Sequence, residues 1–129
     1  MAEEIEILQG NDVPERTFKI KDGGVVQLIA DYADYHIYIY QEKNGKHSEV
    51  AIFKKTPGAG EYQIRVVDVN TIGFVVGRAI TKTVTGDLYA EIRTQRTAGS
   101  QFESSLINAG AKAFHVATIK ESTRPKLLQ

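Results

Sequence analysis

Apolar and polar residues alternate along residues 35–55, YHIYIYQEKNGKHSEVAIFKK, on both sides of a central Asn44-Gly45 pair. Alternation with a period of two is typical of β-strands, whose successive side chains point to opposite faces. Asn-Gly is the strongest short signal for a hairpin, because a type I′ turn needs a positive φ at both central residues. The segment therefore predicts a β-hairpin with Asn44 and Gly45 as its turn.

The predicted turn also fixes the register of the hairpin, because each step away from the turn adds one residue on each strand. The expected pairs are Lys43 with Lys46, Tyr40 with Glu49, Ile39 with Val50, Tyr38 with Ala51, Ile37 with Ile52, and His36 with Phe53. One face is then a core face, made of Ile37, Ile39, Val50 and Ile52. The other is an aromatic face, made of His36, Tyr38, Tyr40, Ala51 and Phe53.

Further alternating runs, separated by glycine, proline, asparagine and aspartate, predict strands over most of the remaining chain. They lie around residues 4–7, 17–21, 25–29, 62–66, 74–81, 88–93 and 113–119. With the hairpin they make about eight or nine short strands, with a turn signal about every 8 to 12 residues. This spacing predicts an all-β protein, an antiparallel sandwich or barrel.

One segment, residues 99–112, has two interpretations. Ser100 and Glu103 have the spacing of a capping box, and Gly110 is placed as a C-terminal cap, which favours a short helix near residues 100–109. An irregular strand from Phe102 to Ile107 is the alternative. We expect at most one helix in the chain.

Length and composition predict a single domain. A chain of 129 residues with 42% hydrophobic residues can bury a core without disulfides or metals. We assign the β-sandwich domain to residues 1–121 and a loose C-terminal tail to residues 122–129.

Charge and cysteine content narrow the expected partners. The 16 basic residues balance the 16 acidic ones, so no electrostatic attraction to nucleic acid is predicted. The chain has no cysteine, which excludes thiolate catalysis and cysteine zinc sites. No apolar run is long enough to cross a membrane, and the acidic N-terminus is not a signal peptide. We expect synthesis in the cytoplasm and no contact with a membrane.

Catalytic and cofactor motifs are not found in the sequence. His36, His47 and His115 are too far apart in the chain to form a ligand motif. Neither a metalloprotease helix, a nucleophile elbow, a phosphate loop nor a dinucleotide fingerprint is present. Aspartates in turns could supply oxygen to calcium, but aspartate also favours turns for backbone reasons. We predict no catalytic residue, no metal ligand and no cofactor.

The aromatic face of the hairpin offers the candidate interaction residues His36, Tyr38, Tyr40 and Phe53. Three interpretations stay open at this point. The face is the second packed side of a sandwich strand, or it binds another protein, or it stacks sugar rings. Tyrosine supplies large amphipathic area at low entropic cost, which favours a protein partner or self-association over a small-molecule ligand.

The order of strands and turns resembles a known family of domains. The segments IEILQGND, TFKIKDGGVVQL and GRAITKTVTGDLYAEI resemble immunoglobulin-like β-sandwich domains of tailed-phage and prophage structural proteins, of the type at the N-terminus of baseplate upper proteins. The resemblance implies an immunoglobulin-like sandwich and a non-enzymatic structural or adaptor role, with incorporation into a virion. The alternative function is a carbohydrate-binding module that uses Tyr38 and Tyr40.

Tyr89 follows Gly86 near the start of a late strand, and it has two interpretations. In a tyrosine corner, the hydroxyl of a tyrosine at such a position bonds back to the preceding backbone. Alternation also places Tyr89 on the side opposite Leu88, Ala90 and Ile92, as an ordinary outward residue.

Overall fold

Two β-sheets packed face to face make up the part of the chain that the computed structural model describes, which is residues 5–22, 25–104, 106–107 and 113–121. In chain order the strands are β1 (Glu6–Leu8), β2 (Arg16–Asp22), β3 (Val25–Val26), β4 (Asp34–Lys43), β5 (Lys46–Lys54), β6 (Tyr62–Gln63), β7 (Arg65–Asp68), β8 (Thr71–Phe74), β9 (Gly86–Gln95), β10 (Glu103–Ser104), β11 (Leu106–Ile107) and β12 (Ala113–Lys120). A 3-10 turn spans Ile29–Asp31, and one turn of helix, α1, spans Arg78–Thr81. The predicted all-β sandwich is confirmed.

The strand order matches the immunoglobulin arrangement. The first sheet has the order β1-β12-β9-β4-β5-β6, with β10 also paired to β9. The second has the order β11-β2-β8-β7, with β3 also paired to β2. Strands β12, β9, β4 and β5 take the places of G, F, C and C′, and β2, β8 and β7 take those of B, E and D. Two pairings, β1 with β12 and β5 with β6, are parallel, so the sandwich is not wholly antiparallel.

The core between the two sheets is built from the alternate residues that point inward. Its largest fully buried side chains come from both sheets and from two adjoining loops, and they are Phe53, Phe74, Ile20, Ile37, Ile39, Ile72, Leu88, Ile92, Ile119, Val13 and Val76. The Phe74 ring contacts both sheets. Its centroid lies 6.0 Å from that of Phe18 in the same sheet and 5.4 Å from that of Phe53 in the other sheet. Burial of this apolar surface is the main stabilising contribution to the sandwich.

The hairpin turn forms as predicted. Asn44 has a φ of 52° and Gly45 a φ of 76°, the two positive values that a type I′ turn requires. The pairs nearest the turn, from Lys43 with Lys46 to Tyr40 with Glu49, also have the predicted register.

Beyond Tyr40 the predicted register is wrong by one residue. Ile39 lies opposite Ala51 and Ile37 opposite Phe53, because Val50 is the extra residue of a β-bulge in β5. Side chains alternate, so the extra residue exchanges the two faces for the rest of β5. Ala51 and Phe53, predicted on the aromatic face, are buried in the core. Ile52, predicted in the core, points to the outer side, while the partly buried Val50 packs against the core.

Of the two interpretations of residues 99–112, the irregular strand is confirmed by β10 and β11, and the short helix near residues 100–109 does not form in the residues that the structure describes there. Strand β10 pairs with β9, and β11 pairs with β2, so this stretch passes from one sheet to the other. The Ser100 hydroxyl donates to the Thr97 carbonyl instead of capping a helix. Sheet pairing satisfies the backbone here, and it outweighs the local helix signal. Gly110 lies outside the described residues.

The strand predicted for residues 74–81 is also wrong in most of its length. Strand β8 ends at Phe74, and Gly77 is the N-terminal cap of the helical turn α1. In this turn the backbone N–H of Arg78 is satisfied by the carboxylate of Asp12, from the loop after β1, at 2.7 Å. A long-range contact of this kind is invisible to local propensity. The predicted tail, residues 122–129, lies outside the described residues, and within them no helix is long and apolar enough to span a bilayer.

Candidate functional site

The outer surface of the first sheet gathers tyrosine, histidine and charged side chains from four strands. The alternation of β4, β5, β9 and β12 brings together Tyr38, Tyr40, Tyr89, His36, His47, His115, Glu49, Glu91 and Arg93. We call this surface the tyrosine face. Its rings lie on the side of the sheet opposite the core, so core packing alone does not explain them.

Tyr40 is the most buried member of the tyrosine face. Only 9% of it is exposed, although it does not belong to the core. The His47 ring stacks on it with centroids 4.2 Å apart and 25° between the planes, and Tyr89 lies 5.9 Å away on the neighbouring strand. Burial raises the pKa of the Tyr40 hydroxyl, and the carboxylates of Glu91 and Glu42 raise it further. The Tyr40 hydroxyl is therefore neutral, and its buried ring forms the base of the tyrosine face.

Tyr38 and Arg93 form the more open part of the tyrosine face. The guanidinium carbon of Arg93 lies 5.9 Å from the centre of the Tyr38 ring, within reach of a cation–π contact. The same guanidinium forms an ion pair with Glu91 at 3.1 Å. A shallow depression of about 410 Å³ lies between these residues, and it is lined by Tyr38, Tyr40, His47, Glu49, Glu91 and Arg93.

Each histidine of the chain packs against a different tyrosine of this face. His36 lies edge-on to Tyr38 at 6.1 Å, His47 stacks on Tyr40, and His115 lies edge-on to Tyr89 at 5.5 Å.

Each histidine also has a carboxylate neighbour. The distances are 3.4 Å from His36 to Asp34, 3.5 Å from His47 to Glu42, and 2.9 Å from His115 to Asp87. Each histidine ring therefore has two contacts, one with a tyrosine and one with a carboxylate.

The sequence-predicted site is partly assembled by the structure. His36, Tyr38 and Tyr40 lie on one surface, as predicted from the hairpin, whereas Phe53 lies in the core and takes no part in it. The structure adds Tyr89 and Arg93, because β9 pairs with β4 and places them beside Tyr40 and His36. Alternation had already marked Tyr89 as an outward residue, but nothing in the sequence identified β4 as the neighbour of β9.

The tyrosine-corner interpretation of Tyr89 is not supported by its position. Its ring packs between Tyr40 and His115 on the outer surface, and not back against the turn before β9. Tyr89 therefore belongs to the tyrosine face.

The cluster of Asp87, His115 and Thr118 contains the residue types of a hydrolase triad, and its geometry differs from one. In a triad the carboxylate and the hydroxyl contact opposite nitrogens of the imidazole. Here Asp87 Oδ1 lies 2.9 Å from His115 Nε2, and Thr118 Oγ1 lies 3.2 Å from the same nitrogen. The Thr118 hydroxyl also donates to Asp87 Oδ1 at 2.6 Å. The cluster links β9 to β12 at the margin of the tyrosine face.

Replacing Asp87 with asparagine is expected to remove a small, pH-dependent contribution to stability. The Thr118 hydroxyl, and then His115, lower the pKa of the Asp87 carboxyl below its ordinary value of about 3.9. The contribution is therefore complete above about pH 4 and is lost as the pH falls through the lower, folded-state pKa. Because the side chain is half exposed, we expect less than about 1 kcal/mol.

Urea unfolding of wild type and Asp87→Asn, at neutral pH and below pH 3, measures this contribution. The stability difference between the two proteins should shrink on acidification, and Thr118→Val should show part of the same change. An equal difference at both pH values would contradict the assignment.

Two comparisons with known proteins were negative. No protein-family model matches this chain, and neither does any curated protein. Within the described residues, no group of three or more histidine, aspartate or glutamate side chains is arranged to hold a metal ion. The chemistry of the tyrosine face is therefore the basis for a functional proposal.

Proposed function

We propose that this chain is a non-enzymatic structural or adaptor domain that binds another protein, or a second copy of itself, through the tyrosine face. One observation carries the proposal, namely that two tyrosines, Tyr38 and Tyr40, and an arginine, Arg93, line a single shallow depression on the outer side of a sheet. A third tyrosine, Tyr89, packs beside Tyr40. Tyrosine and arginine are enriched in the centres of protein interfaces, where they contribute most of the binding energy.

Preorganisation supports a binding role for these rings. Ordering a side chain at an interface costs about 0.5–1.5 kcal/mol when the side chain is mobile beforehand. Stacking between Tyr40 and His47, and the contact of Tyr38 with His36, restrict the tyrosines before any partner arrives. The entropic cost of binding is correspondingly lower.

Charge on the tyrosine face favours a partner with both signs of charge. Glu49, Glu91 and Arg93 stand around the depression, and Arg93 already pairs with Glu91. A mixed rim of this kind selects partners by complementarity more than by long-range attraction. It agrees with the zero net charge of the chain.

The larger context that we propose is a tail or baseplate component of a phage or prophage. This part of the proposal rests on the resemblance of the turn and strand patterns to immunoglobulin-like virion domains, and the strand order of the sandwich is compatible with it. Synthesis in the cytoplasm would then be followed by assembly into the virion.

Sugar binding by Tyr38 and Tyr40 stays the alternative function. Sugar stacking needs an accessible ring face, and in Tyr40 one face is covered by His47. Tyr38 is partly buried, and the Arg93 guanidinium lies 5.9 Å from the centre of its ring, which makes the sugar alternative weaker than a protein partner.

The double variant Tyr38→Ser/Arg93→Ala is expected to weaken association at least about tenfold, because it removes two central contacts. Sedimentation equilibrium across micromolar concentrations measures self-association, and quantitative pull-down from lysates measures a heterologous partner. Tyr40 is left in place because its burial would make its loss a test of folding.

Leu8→Ser is the control, since Leu8 is an apolar residue that is 49% exposed on β1 and does not line the depression of the tyrosine face. It should associate as wild type does. A chain that stays monomeric and retains no partner, or a double variant that associates normally, would refute the proposal. Binding on a glycan array that the double variant loses would support the sugar alternative.

A further inference from the structure

The second sheet ends in a strand with an unpaired edge. Strand β7 pairs with β8 on one side, and within the described part of the chain no strand pairs with its other side. All four of its residues, Arg65–Asp68, are exposed. Such an edge presents backbone N–H and C=O groups that can pair with another chain.

Exposed apolar side chains are concentrated along this edge. Nine large apolar residues of the described chain are exposed, and six of them lie on β7 or beside it. These six are Leu28, Tyr62, Val66, Val67, Val69 and Val75. Single exposed apolar residues are normal on protein surfaces, whereas a continuous row of them marks a binding surface.

Two apolar depressions open on the core side of β7, one at each end of the strand. The depression at the Arg65 end has a volume of about 550 Å³ and is lined mainly by Phe53, Tyr62, Ile64, Phe74 and Val75. The depression at the Asp68 end has a volume of about 520 Å³ and is lined mainly by Leu28, Ile29, Tyr32, Tyr35 and Val69. Val66 belongs to both and separates them.

The charged groups that line the two depressions balance in number, with Arg65 and Glu15 at one and Lys55 and Asp68 at the other. Arg65 donates two hydrogen bonds to the Glu15 carboxylate, at 2.6 Å and 2.5 Å, and this contact lowers the pKa of Glu15. Asp68 accepts a hydrogen bond from the backbone of Asn70 at 3.0 Å. The edge therefore offers main-chain groups and apolar depressions without a net charge, and an apolar, uncharged strand is its complement.

We propose that this edge binds an extended segment of a partner protein, which adds to β7 as a further strand. Side chains of an added strand alternate between two faces, so two apolar side chains on one face would enter the two depressions. The main-chain hydrogen bonds supply affinity, and the depressions supply the preference for apolar residues at alternate positions.

The occupant is a partner segment and not a second copy of β7. Within β7, whose sequence is RVVD, each face carries one valine and one charged residue, Val66 with Asp68 and Val67 with Arg65, so a second copy of β7 would bring a charged side chain to one of the depressions. The proposed site lies at the edge of the second sheet, whereas the tyrosine face lies on the first. The proposal therefore does not depend on the function proposed above.

The test uses the full chain and a displayed library of random twelve-residue peptides. Enriched peptides should share apolar residues at alternate positions. A fluorescein-labelled synthetic copy of the strongest one should bind the wild type in a polarisation titration. Val66→Lys should weaken that binding at least about tenfold, or about 1.4 kcal/mol. The lysine side chain would occupy the space between the two depressions, and its charge would oppose the pairing of another strand with β7.

Leu8→Lys is the matched control, since Leu8 is 49% exposed and Val66 is 51% exposed, and Leu8 lies on the first sheet. It should bind the peptide normally, and so should Tyr38→Ser. Far-ultraviolet circular dichroism checks the fold of each variant, and Val69→Lys replaces Val66→Lys if the latter does not fold.

Amide hydrogen exchange provides a second readout of strand addition. Bound peptide should slow exchange at β7 amides and leave those of β1 unchanged. The proposal is overturned if no peptide is enriched, if enriched peptides lack alternation, if both lysine variants at the edge bind normally, or if β7 gains no protection. It is equally overturned if sedimentation shows that a second copy of the chain occupies this edge.

Discussion

Replacing Phe53 with alanine is expected to destabilise the protein by about 3–5 kcal/mol, the usual cost of removing a buried aromatic ring. Phe53 is 2% exposed. Its ring centroid lies 5.4 Å from that of Phe74 in the opposite sheet and 5.3 Å from that of Tyr62. The substitution would leave a cavity between the two sheets, at a point where close packing holds them together.

Ile52→Ala is the control that tests the register itself. Ile52 lies on the outer side of β5, so its truncation should cost about 1 kcal/mol or less. Urea unfolding followed by circular dichroism measures both variants. A hairpin without the bulge at Val50 would put Ile52 in the core and Phe53 outside, and the order of the two effects would then be reversed.

The bulge shows which part of the hairpin could be predicted from the sequence. Asn44 and Gly45 specify the turn through their tolerance of positive φ, and the first pairs follow from the turn by geometry. Val50, Ala51, Ile52 and Phe53 form an unbroken apolar run, and either register buries two of them. Packing against Phe74 in the opposite sheet decides between the two registers. This long-range contact cannot be predicted from the sequence of the hairpin alone.

The tyrosine face was predictable only within one hairpin. His36, Tyr38 and Tyr40 follow the alternation of a single strand, which the sequence displays. His47 lies on β5 of the same hairpin. The approach of His115 and Tyr89 depends instead on the order of strands in the sheet, and that order is set by long-range pairing. The three histidines therefore contact three tyrosines on one surface, although no sequence motif predicts this arrangement.

The segment after β9 shows tertiary structure overriding a local signal. Its capping-box residues favour a helix, yet the aromatic ring of Phe102 stacks on His36, with centroids 4.4 Å apart. This contact fixes the segment at the margin of the tyrosine face, and from there β10 and β11 pair with different sheets. This segment therefore connects the first sheet, which carries the tyrosine face, to the second sheet, which carries the unpaired edge of β7.

Thr81→Val is expected to destabilise the protein by about 1–3 kcal/mol, although valine has nearly the same shape as threonine. Thr81 is fully buried, with 0% exposed. Its hydroxyl donates to the Asn11 carbonyl at 2.8 Å and accepts from the backbone N–H of Gly10 at 3.2 Å. Valine would leave both backbone groups without this partner and would remove one of the links between the loop after β1 and α1, while the bond from Arg78 to Asp12 remains.

Thr81→Ser is the matched control, because serine keeps the hydroxyl and loses only a methyl group. If hydrogen bonding dominates, Thr81→Ser should be more stable than Thr81→Val in urea unfolding. If apolar burial dominates, valine should be the better substitute, and the proposed role of the hydroxyl would be wrong. Amide exchange at Gly10 separates the two cases directly, since its N–H should exchange faster only in the variant that lacks the hydroxyl acceptor.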